Sequence, residues 1–457
     1  MIKKFGGSSL ADLRGCAEVR DIVQADPACK AVIVSAPGTH AGETVKMTDT
    51  LIKIAELQSS NPREAERLAR AVKERFRVLG GALNVTLPNG VLDQIPEEFP
   101  TERLIGKDFL ASRGEFIMGH LMAQYLGFHF VDAAEVIRFH ADGKLDAPTT
   151  YQLVRERCAG PGRYLFPGFY GATRKEEVRT FSRGGSDITM AIVARALRAD
   201  RAEKWTDVEG VFEASPKIIP HARVVPCITY AEMRELAAGG ASVLHPDVIL
   251  HVQPTESEPG IPVFVRHTRD PSGRGTEITD ARRSAMLHPV VGIAIRSRFL
   301  AFNIHELGLN EKPHYGEDLF GMFAAKLGIS FTHTVTSQDA FKVVIAEESL
   351  HGVVPTTILE ELRHLSPTGH VFYASSQSVI AVVGLDVSGE VLLRAMKALV
   401  EADIRVGMVS HGAAANATIL TVADDDATRA VEALHEEFFS AAAIAPTSES
   451  GPVAVNE

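Results

Sequence analysis

The amino-acid sequence predicts an α/β protein with a doubly wound, mostly parallel central sheet, followed by two small α+β modules. Two observations carry this prediction. Through about residue 285, short β-branched or aromatic runs alternate with segments of helical apolar spacing, which is typical of a doubly wound sheet. Beyond that point one order of strands and helices occurs twice, at a spacing of about 75 residues. A chain of 457 residues is also too long for one hydrophobic core.

Strands and helices alternate in order through the first part of the chain. The predicted strands are Ile2–Phe5, Ala31–Ser35, Phe128–Val131, Tyr164–Tyr170, Lys204–Thr206 and Ile261–Arg266. The predicted helices are Leu13–Gln24, Met47–Leu57, Arg63–Val78, Arg103–Tyr125, Asp187–Leu197, Tyr230–Ala238 and Asp247–Val252. Because ligands of such sheets bind at the carboxyl ends of the strands, we expect the functional residues in the loops that follow them.

The stretch Asp270–Arg282 is rich in proline, glycine and charge, and is typical of a domain linker. The first module after it is predicted to combine strands at Val290–Ile295, Ala301–Ile304 and Phe341–Ala346 with a helix at Glu317–Leu327. The second combines strands at Val379–Val383 and Thr418–Val422 with a helix at Ser388–Ala402. The predicted domains are 1–285, 286–370 and 371–445, followed by a disordered polar tail at 446–457.

Composition narrows the class of function. The net charge of −11 and the pI near 5.9 argue against a nucleic-acid or anionic-membrane surface, because either would need a concentrated basic field. The four cysteines are scattered, so neither a zinc site nor a disulfide framework is indicated. The chain begins with a charged strand rather than a signal peptide, and no apolar run reaches membrane-spanning length. We therefore expect a cytoplasmic enzyme without a protein-bound metal.

The segment Phe181–Asp187, with sequence FSRGGSD, places an arginine, two glycines, a serine and an aspartate before a predicted helix. Its glycines allow positive φ and close backbone approach, and Ser186 is positioned to cap the helix. Exposed N–H groups at a helix start suit anions, and the fork of Arg183 matches a carboxylate or phosphate. The alternative is an ordinary glycine turn with a helix cap.

Three further segments offer binding groups. Lys4–Ser9, directly after a strand, contains a lysine, two glycines and two hydroxyls. It is not a P-loop, because the order GxxxxGK[ST] is absent. The alternative is a plain strand-to-helix turn. Ser112–Glu115 lies in the first turns of a helix, where Glu115 could hold a ligand ammonium or only complement the helix dipole. Trp205–Gly210 ends a strand at a place suited to a nucleotide.

Together these segments resemble the aspartate kinases. Lys4–Ser9 resembles their KFGG[ST]S signature, Phe181–Asp187 their [GS]RGGSD segment, and Trp205–Gly210 their WTDVxG. Pro167–Gly171, Ser112–Glu115 and Val243–Pro246 also fall in the family's order and spacing. The two C-terminal modules look like the paired ACT domains of these enzymes. The resemblance covers the chain except its tail, and implies an amino-acid-kinase-like (carbamate-kinase-like) α/β sandwich followed by two ferredoxin-like ACT domains.

The reaction that the resemblance implies is transfer of the γ-phosphoryl group of ATP to the side-chain carboxylate of L-aspartate, with Mg²⁺ held mainly by the nucleotide phosphates. That carboxylate is ionised at neutral pH, so catalysis requires alignment and charge neutralisation rather than a base. The residues implied on the aspartate side are Ser35, Thr48, Glu115, Phe169 and Arg183, with Glu115 for the ammonium and Arg183 for the α-carboxylate. The residues implied on the nucleotide side are Lys4, Gly6, Gly7, Ser8, Ser186, Asp187, Thr206, Asp207, Phe212 and Lys217. Of these, Lys4 and the N–H groups of Gly6 and Gly7 would supply a positive field, and Asp187 would orient Lys4.

The nucleotide side departs from the family pattern at three places. Phe212 replaces a tyrosine, Ser215-Pro216-Lys217 replaces Asp-Pro-Arg, and Ser242 replaces a lysine. We interpret these as altered ATP contacts. Two other hypotheses stay open: a kinase for another carboxylate such as glutamate, and an amino-acid sensor that has kept the kinase fold without turnover.

The ACT pair implies feedback by an amino acid, lysine or threonine, and a homo-oligomer of two or more chains. The expected effector contacts are Asn303–Asn310, Tyr315–Phe320 and Thr336–Asp339. The alternative is that these loops only pack a dimer.

Overall fold

A computed structural model of the chain describes residues 1–39, 44–99, 104–181, 184–241, 243–281, 289–385 and 387–440. Arg183, Ser242 and the predicted tail 446–457 lie outside these ranges. By their contacts the described residues form two compact units. The first contains 1–211, 224–234 and 243–281, and the second contains 212–223, 235–241 and the residues from 289 onward.

The first unit is built on a mostly parallel sheet, as the sequence predicts. Its described strands lie in the order β3 (His129–Phe130), β5 (Tyr164–Pro167), β2 (Ala31–Val34), β1 (Ile2–Phe5), β8 (Ala202–Thr206), β10 (Val263–His267), β11 (Thr276–Thr279) and β9 (Cys227–Thr229). Only the β10–β11 pair is antiparallel within the described sheet. Every residue of β1, β2 and β5 is buried, as expected when helices cover both faces of a parallel sheet.

Helices pack around this sheet. They are α1 (Leu13–Gln24), α2 (Met47–Ser60), α3 (Pro62–Leu83), α4 (Lys107–Leu126), α5 (Ala133–Val136), α6 (Ala147–Arg157), α7 (Gly185–Ala196), α8 (Tyr230–Ala238) and α9 (Val248–Val252). A small second sheet contains β4 (Arg138–Phe139), β6 (Tyr170–Thr173) and β7 (Val178–Thr180). All twelve residues of α7 are buried, because its apolar residues meet protein on every side. Its first turn is therefore held firmly in place.

Two predictions about the first unit were wrong. The predicted strand Tyr164–Tyr170 is two strands in different sheets, β5 and β6, because the chain turns at Phe169, whose φ is 80°. The predicted linker Asp270–Arg282 contains β11, which pairs with β10 and β9. Pairing partners on both sides override the weak local preference of a Gly- and Pro-rich segment for strand.

The second unit contains a six-stranded antiparallel sheet, in the order β13, β14, β12, β15, β17, β16. Its elements are β12 (Gly292–His305), α10 (Tyr315–Gly321), β13 (His333–Thr336), β14 (Ala340–Ala346), α11 (Pro355–Leu365), β15 (His370–Val383), α12 (Gly389–Glu401), β16 (Met408–Ser410), β17 (Ala417–Ala423) and α13 (Ala427–Phe439). The predicted strands Val290–Ile295 and Ala301–Ile304 are thus parts of one strand region. A register shift after Arg296, with Arg298 at φ 69°, separates its two halves.

The two halves of β12 belong to different hydrophobic cores. Leu300, Phe302 and Ile304 pack with α10, α11 and β14 in one core. Ile293 packs with α12, α13 and β17 in another, which also includes Ile219 from the preceding part of the chain. The predicted boundary at 370/371 falls at the start of β15, and the predicted domain limits stay predictions.

Candidate active site

A cavity of about 980 Å³ opens in the first unit at the carboxyl ends of β1, β2, β8 and β10. This is where a doubly wound sheet binds its ligands. The sequence-predicted residues that line it are Lys4, Gly6, Gly7, Ser8, Ser35, Thr48, Glu115, Phe169, Ser186, Thr206 and Asp207. Phe212 and Lys217 are not among the lining residues and belong by their contacts to the second unit. The structure thus brings most of the predicted site together, while Arg183 lies outside the described residues.

One end of the cavity is built around Asp187, which lies between two lysines. Lys4 on β1 and Lys204 on β8 are register partners in parallel strands, so both side chains leave the same face of the sheet. Lys4 Nζ lies 2.6 Å from Asp187 Oδ1, and Lys204 Nζ lies 2.5 Å from Oδ2. All three side chains are nine-tenths buried or more. Each carboxylate oxygen therefore lies within ion-pair distance of one ammonium group.

These contacts change the pKa values of the group. Burial would raise the pKa of Asp187, but the charges of Lys204 and then Lys4 outweigh it and lower that pKa to about 2. Burial lowers the pKa of Lys204, and the nearby Asp187 carboxylate works against that fall. Asp187 is therefore a fixed anion at neutral pH.

The same cavity is lined by Glu115 from α4. The residue is 4% exposed, and its Oε2 has no hydrogen-bond partner among the described residues. Burial raises the pKa of this carboxyl to about 7, opposed by backbone hydrogen bonds and by the charges of Lys4 and Arg113. A buried carboxylate with an unused oxygen at a cavity wall is suited to receive a cationic group.

The loops after β1 and β2 touch closely. The N–H of Gly38 donates to the carbonyl oxygen of Gly7 over 2.7 Å, and a Cβ atom on Gly7 would lie 2.8 Å from the Ala36 oxygen. Both loops therefore need glycine at this contact. One prediction about them was wrong: the N–H of Gly6 donates to Trp205 O over 3.0 Å, so it is not free to bind a phosphate.

Helix α7 directs its N-terminus at the cavity, which its first residues line. It begins at Gly185, two residues earlier than predicted, because Gly184 at φ 87° acts as the N-cap residue. Ser186 is therefore inside the first turn and does not cap the helix as the sequence suggested. Phe169 lines the cavity beside it, and its N–H donates to Thr189 Oγ1 over 3.1 Å.

The structure adds lining residues that the sequence did not identify: Lys204, and His267, Thr268 and Arg269 at the end of β10. Thr268 joins two loops, since its Oγ1 lies 2.7 Å from Ser9 Oγ and its N–H donates to Thr206 O over 2.9 Å. The signal for the β10 residues was the strand itself, whose carboxyl end is a binding position in this fold.

Among the described residues, no three or more His, Cys, Asp or Glu side chains converge as metal ligands would. None of the described helices combines the length and apolarity needed to cross a bilayer.

In the second unit, loops predicted to contact an effector lie together. Gly308 N–H donates to Asp339 Oδ1 over 2.7 Å, and Asn310 Nδ2 donates to Thr336 Oγ1 over 2.8 Å. Thus the segments around Asn310 and Asp339 form one connected surface.

Comparison with known proteins identifies relatives along the whole described chain. The sequence matches the amino acid kinase family over residues 1–267 and an ACT domain over residues 380–438. Aspartokinase 3 of Bacillus subtilis (strain 168) is 31% identical, over 96% of this chain and 98% of that protein. Lysine-sensitive aspartokinase 3 of Escherichia coli (strain K12) is 26% identical, over 96% and 99% respectively.

Solved structures agree with the sequence relatives. The crystal structure of Clostridium acetobutylicum aspartate kinase has a TM-score of 0.78 at 30% identity, over 96% of this chain and 99% of that one. E. coli aspartokinase III in complex with aspartate and ADP has a TM-score of 0.80 at 25% identity, with the same coverage. These matches confirm the predicted amino-acid kinase fold followed by ACT domains. This chain belongs to the aspartokinase family.

Proposed function

We propose that this chain transfers the γ-phosphoryl group of ATP to the side-chain carboxylate of L-aspartate, giving 4-phospho-L-aspartate. One observation carries the proposal: a single cavity has lysines paired with Asp187, where we place the phosphates (the phosphate end), and, at Glu115, a buried carboxylate with an oxygen that has no described partner, where we place the amino acid (the amino-acid end). An amino acid and a nucleotide bound at these ends would meet between them. The E. coli relative whose structure contains aspartate and ADP supports this choice of ligands.

At the phosphate end, Lys4 supplies positive charge to the transferred group. Asp187 orients Lys4 and cannot serve as a base, because its pKa is about 2 and both its oxygens are occupied. Further nucleotide contacts are proposed for Gly7, Ser8, Ser186, Thr206 and Asp207, which line the cavity. Phe212 and Lys217 stay proposals for the far side of the nucleotide.

At the amino-acid end, Glu115 receives the ammonium group of aspartate. Ser35, Thr48 and Phe169, which line the same cavity, are proposed as further contacts of this substrate. Arg183 is proposed for the α-carboxylate, a pairing that its planar fork would make bidentate.

The chemical step needs no proton transfer. A side-chain carboxylate oxygen attacks the γ-phosphorus, the bond to the bridging oxygen breaks, and its electron pair leaves with ADP. The cavity offers hydroxyl groups of Ser8 and Thr206 and the exposed carboxylate of Asp207, which fit a Mg²⁺ ion carried mainly by the phosphates. When bound, that ion supplies charge neutralisation, and this chain's residues align the two substrates.

The test is trapping of the acyl phosphate with hydroxylamine in the presence of Mg-ATP. We expect hydroxamate from aspartate and little from glutamate. Hydroxamate from glutamate instead would assign another carboxylate as substrate. If neither amino acid gives hydroxamate while ATP still binds, the chain is a sensor without turnover.

The second unit is proposed to bind an amino-acid effector at the surface around Asn310 and Asp339 and to join chains into a homo-oligomer. Lysine is the first effector to test and threonine the second. Calorimetry with each amino acid, on wild type and on Asp339→Ala, tests the site. Sedimentation velocity tests the oligomer, and a monomer at all concentrations would contradict it.

A further inference from the structure

Lys204 is a buried lysine in the phosphate end of the cavity that the reaction as described above does not use. It lies in β8, directly before Trp205, in a strand whose first four residues are all buried. Its side chain is only 10% exposed, yet it lines the cavity. Burying an ammonium group is costly unless it is paired and has a role that repays the loss of hydration.

The charges around Asp187 show what Lys204 contributes. Lys4 and Asp187 by themselves form a neutral pair, which offers little net field to a polyanion. With Lys204 the group carries a net charge of one positive unit, at a place where burial weakens solvent screening. The second lysine is therefore what gives this group of three side chains its net positive charge.

Geometry holds the two lysines as a matched pair. Their strands are hydrogen-bonded neighbours in register, and each ammonium group occupies one oxygen of the same carboxylate. Each ammonium group has three N–H donors, and Asp187 faces only one side of it. Both lysines therefore keep N–H donors for another acceptor. A phosphate chain has several acceptor oxygens and suits two cations side by side.

We propose that Lys204 is a second phosphate-binding, catalytic residue, which contacts the β- and γ-phosphate oxygens of ATP together with Lys4. The inference rests on the proposed function for the identity of the nucleotide. During transfer, the electron pair of the breaking bond moves to the bridging oxygen of ADP. Lys204 stabilises this charge without giving up a proton, while Lys4 and Lys204 are both held by Asp187.

The test compares nucleotides with different numbers of phosphates on variants at Lys204. Calorimetry would measure the Kd of the non-hydrolysable ATP analogue AMP-PNP with Mg²⁺, and that of AMP, for wild type, Lys204→Met, Lys204→Gln and Lys204→Arg. For Lys204→Met we expect the Kd of AMP-PNP to rise about 10- to 100-fold, the loss typical of one charge-assisted contact, and that of AMP to change less than about threefold.

Two comparisons separate binding from positioning. Lys204→Gln keeps a hydrogen bond to Asp187 but not the charge, so we expect it to bind AMP-PNP as weakly as Lys204→Met does. Lys204→Arg keeps the charge and should recover part of the affinity for AMP-PNP. Lys73→Met is the matched control, because Lys73 is also a buried lysine paired with carboxylates but does not line the cavity. It should leave both Kd values unchanged.

Several outcomes would overturn the inference. If the substitution weakens the binding of AMP and AMP-PNP equally, Lys204 only supports the fold. If Lys204→Gln restores the affinity for AMP-PNP, Lys204 is a positioning residue. Unchanged AMP-PNP binding in Lys204→Met would remove the role altogether. If Lys204→Met does not unfold cooperatively, the Gln and Arg variants still decide between charge and packing. These measurements need no acceptor, so a wild type that binds AMP-PNP but forms no hydroxamate refutes the proposed reaction alone.

Discussion

The two ends of the cavity each contain a buried carboxylate, but the protein treats them differently. Asp187 has an ammonium group on each oxygen, and its pKa is lowered to about 2. Glu115 has an oxygen with no partner among the described residues, and burial raises its pKa to about 7. The charge of Asp187 is therefore compensated by the protein before any ligand binds, whereas we expect that of Glu115 to be compensated by its ligand.

The difference gives opposite contributions to stability. The lowered pKa of Asp187 stabilises the fold above about pH 4, and that contribution is lost as the pH falls toward 2. The raised pKa of Glu115 has the opposite sign: the fold is favoured below about pH 4, and the advantage is lost as the pH rises through 7. The two windows do not overlap, so each carboxylate can be observed separately.

The largest expected effect is that of Asp187→Asn. The change leaves two buried ammonium groups side by side without their counter-charge, and should destabilise the fold by about 3–5 kcal/mol. Chemical denaturation at pH 7 measures this. The double variant with Lys204→Met removes one of the two cations and should regain part of the loss. A single variant as stable as wild type would show that the lysines do not depend on Asp187.

Glu115→Gln should have the reverse effect on stability. It removes a buried charge that the surrounding groups offset only in part, since burial still raises the pKa of Glu115 to about 7, so at pH 8 the fold should gain on the order of 2 kcal/mol. The same change removes the partner of the substrate ammonium, and should raise the KM for aspartate about 10- to 100-fold with a far smaller change for ATP.

A matched control for that variant is Glu232→Gln, since Glu232 is fully buried but does not line the cavity. Its KM for aspartate should equal that of wild type. If Glu115→Gln destabilises the fold and raises both KM values equally, Glu115 belongs to the scaffold and the contrast between the two ends is false.

The pH dependence of aspartate binding gives a smaller effect. The ammonium group binds the ionised form of Glu115, whose population rises about tenfold between pH 6 and pH 8 for a pKa of about 7. We expect the KM for aspartate to fall by a similar factor over that range. Lys4 and Arg113 are the charged side chains that act on Glu115. Glu115→Gln should remove the dependence, and a pH profile shared by both proteins would assign it elsewhere.

Local signals in the sequence located much of this cavity. The predicted limits of Ile2–Phe5, Leu13–Gln24 and Tyr230–Ala238 match the structure, because apolar spacing and turn residues lie within each segment. Asp187 was identified from a motif at a helix start; Glu115 was identified from a motif as well, but its predicted place in the first turns of a helix was wrong, since it lies in the third turn of α4. Such features depend on neighbours in the chain, and these are visible in a single sequence.

The features that the sequence missed depend on distant pairing. In the sequence alone, Lys204 is one residue of a predicted strand. Its role becomes visible only when β8 pairs with β1, about 200 residues earlier in the chain, in the register that aligns Lys204 with Lys4. The N–H of Gly6 is lost to Trp205 for the same reason. β11 is a strand only because β10 and β9 flank it. None of these contacts leaves a periodic pattern in its own segment.

The smallest effect tests how firmly the phosphate end is built. Ser9 Oγ and Thr268 Oγ1 form a buried hydrogen bond that joins the loop after β1 to the end of β10. Ser9→Ala should cost about 1 kcal/mol of stability, because Thr268 keeps a second partner in Thr206 O at 3.2 Å. Ser60→Ala, which alters only an exposed hydroxyl on α2, should cost nothing measurable. If the protein itself holds the loops around the phosphate end in place, the loss for Ser9→Ala will be the same with and without bound Mg-ADP. A loss that disappears when Mg-ADP binds would show that the nucleotide, rather than the protein, holds these loops together.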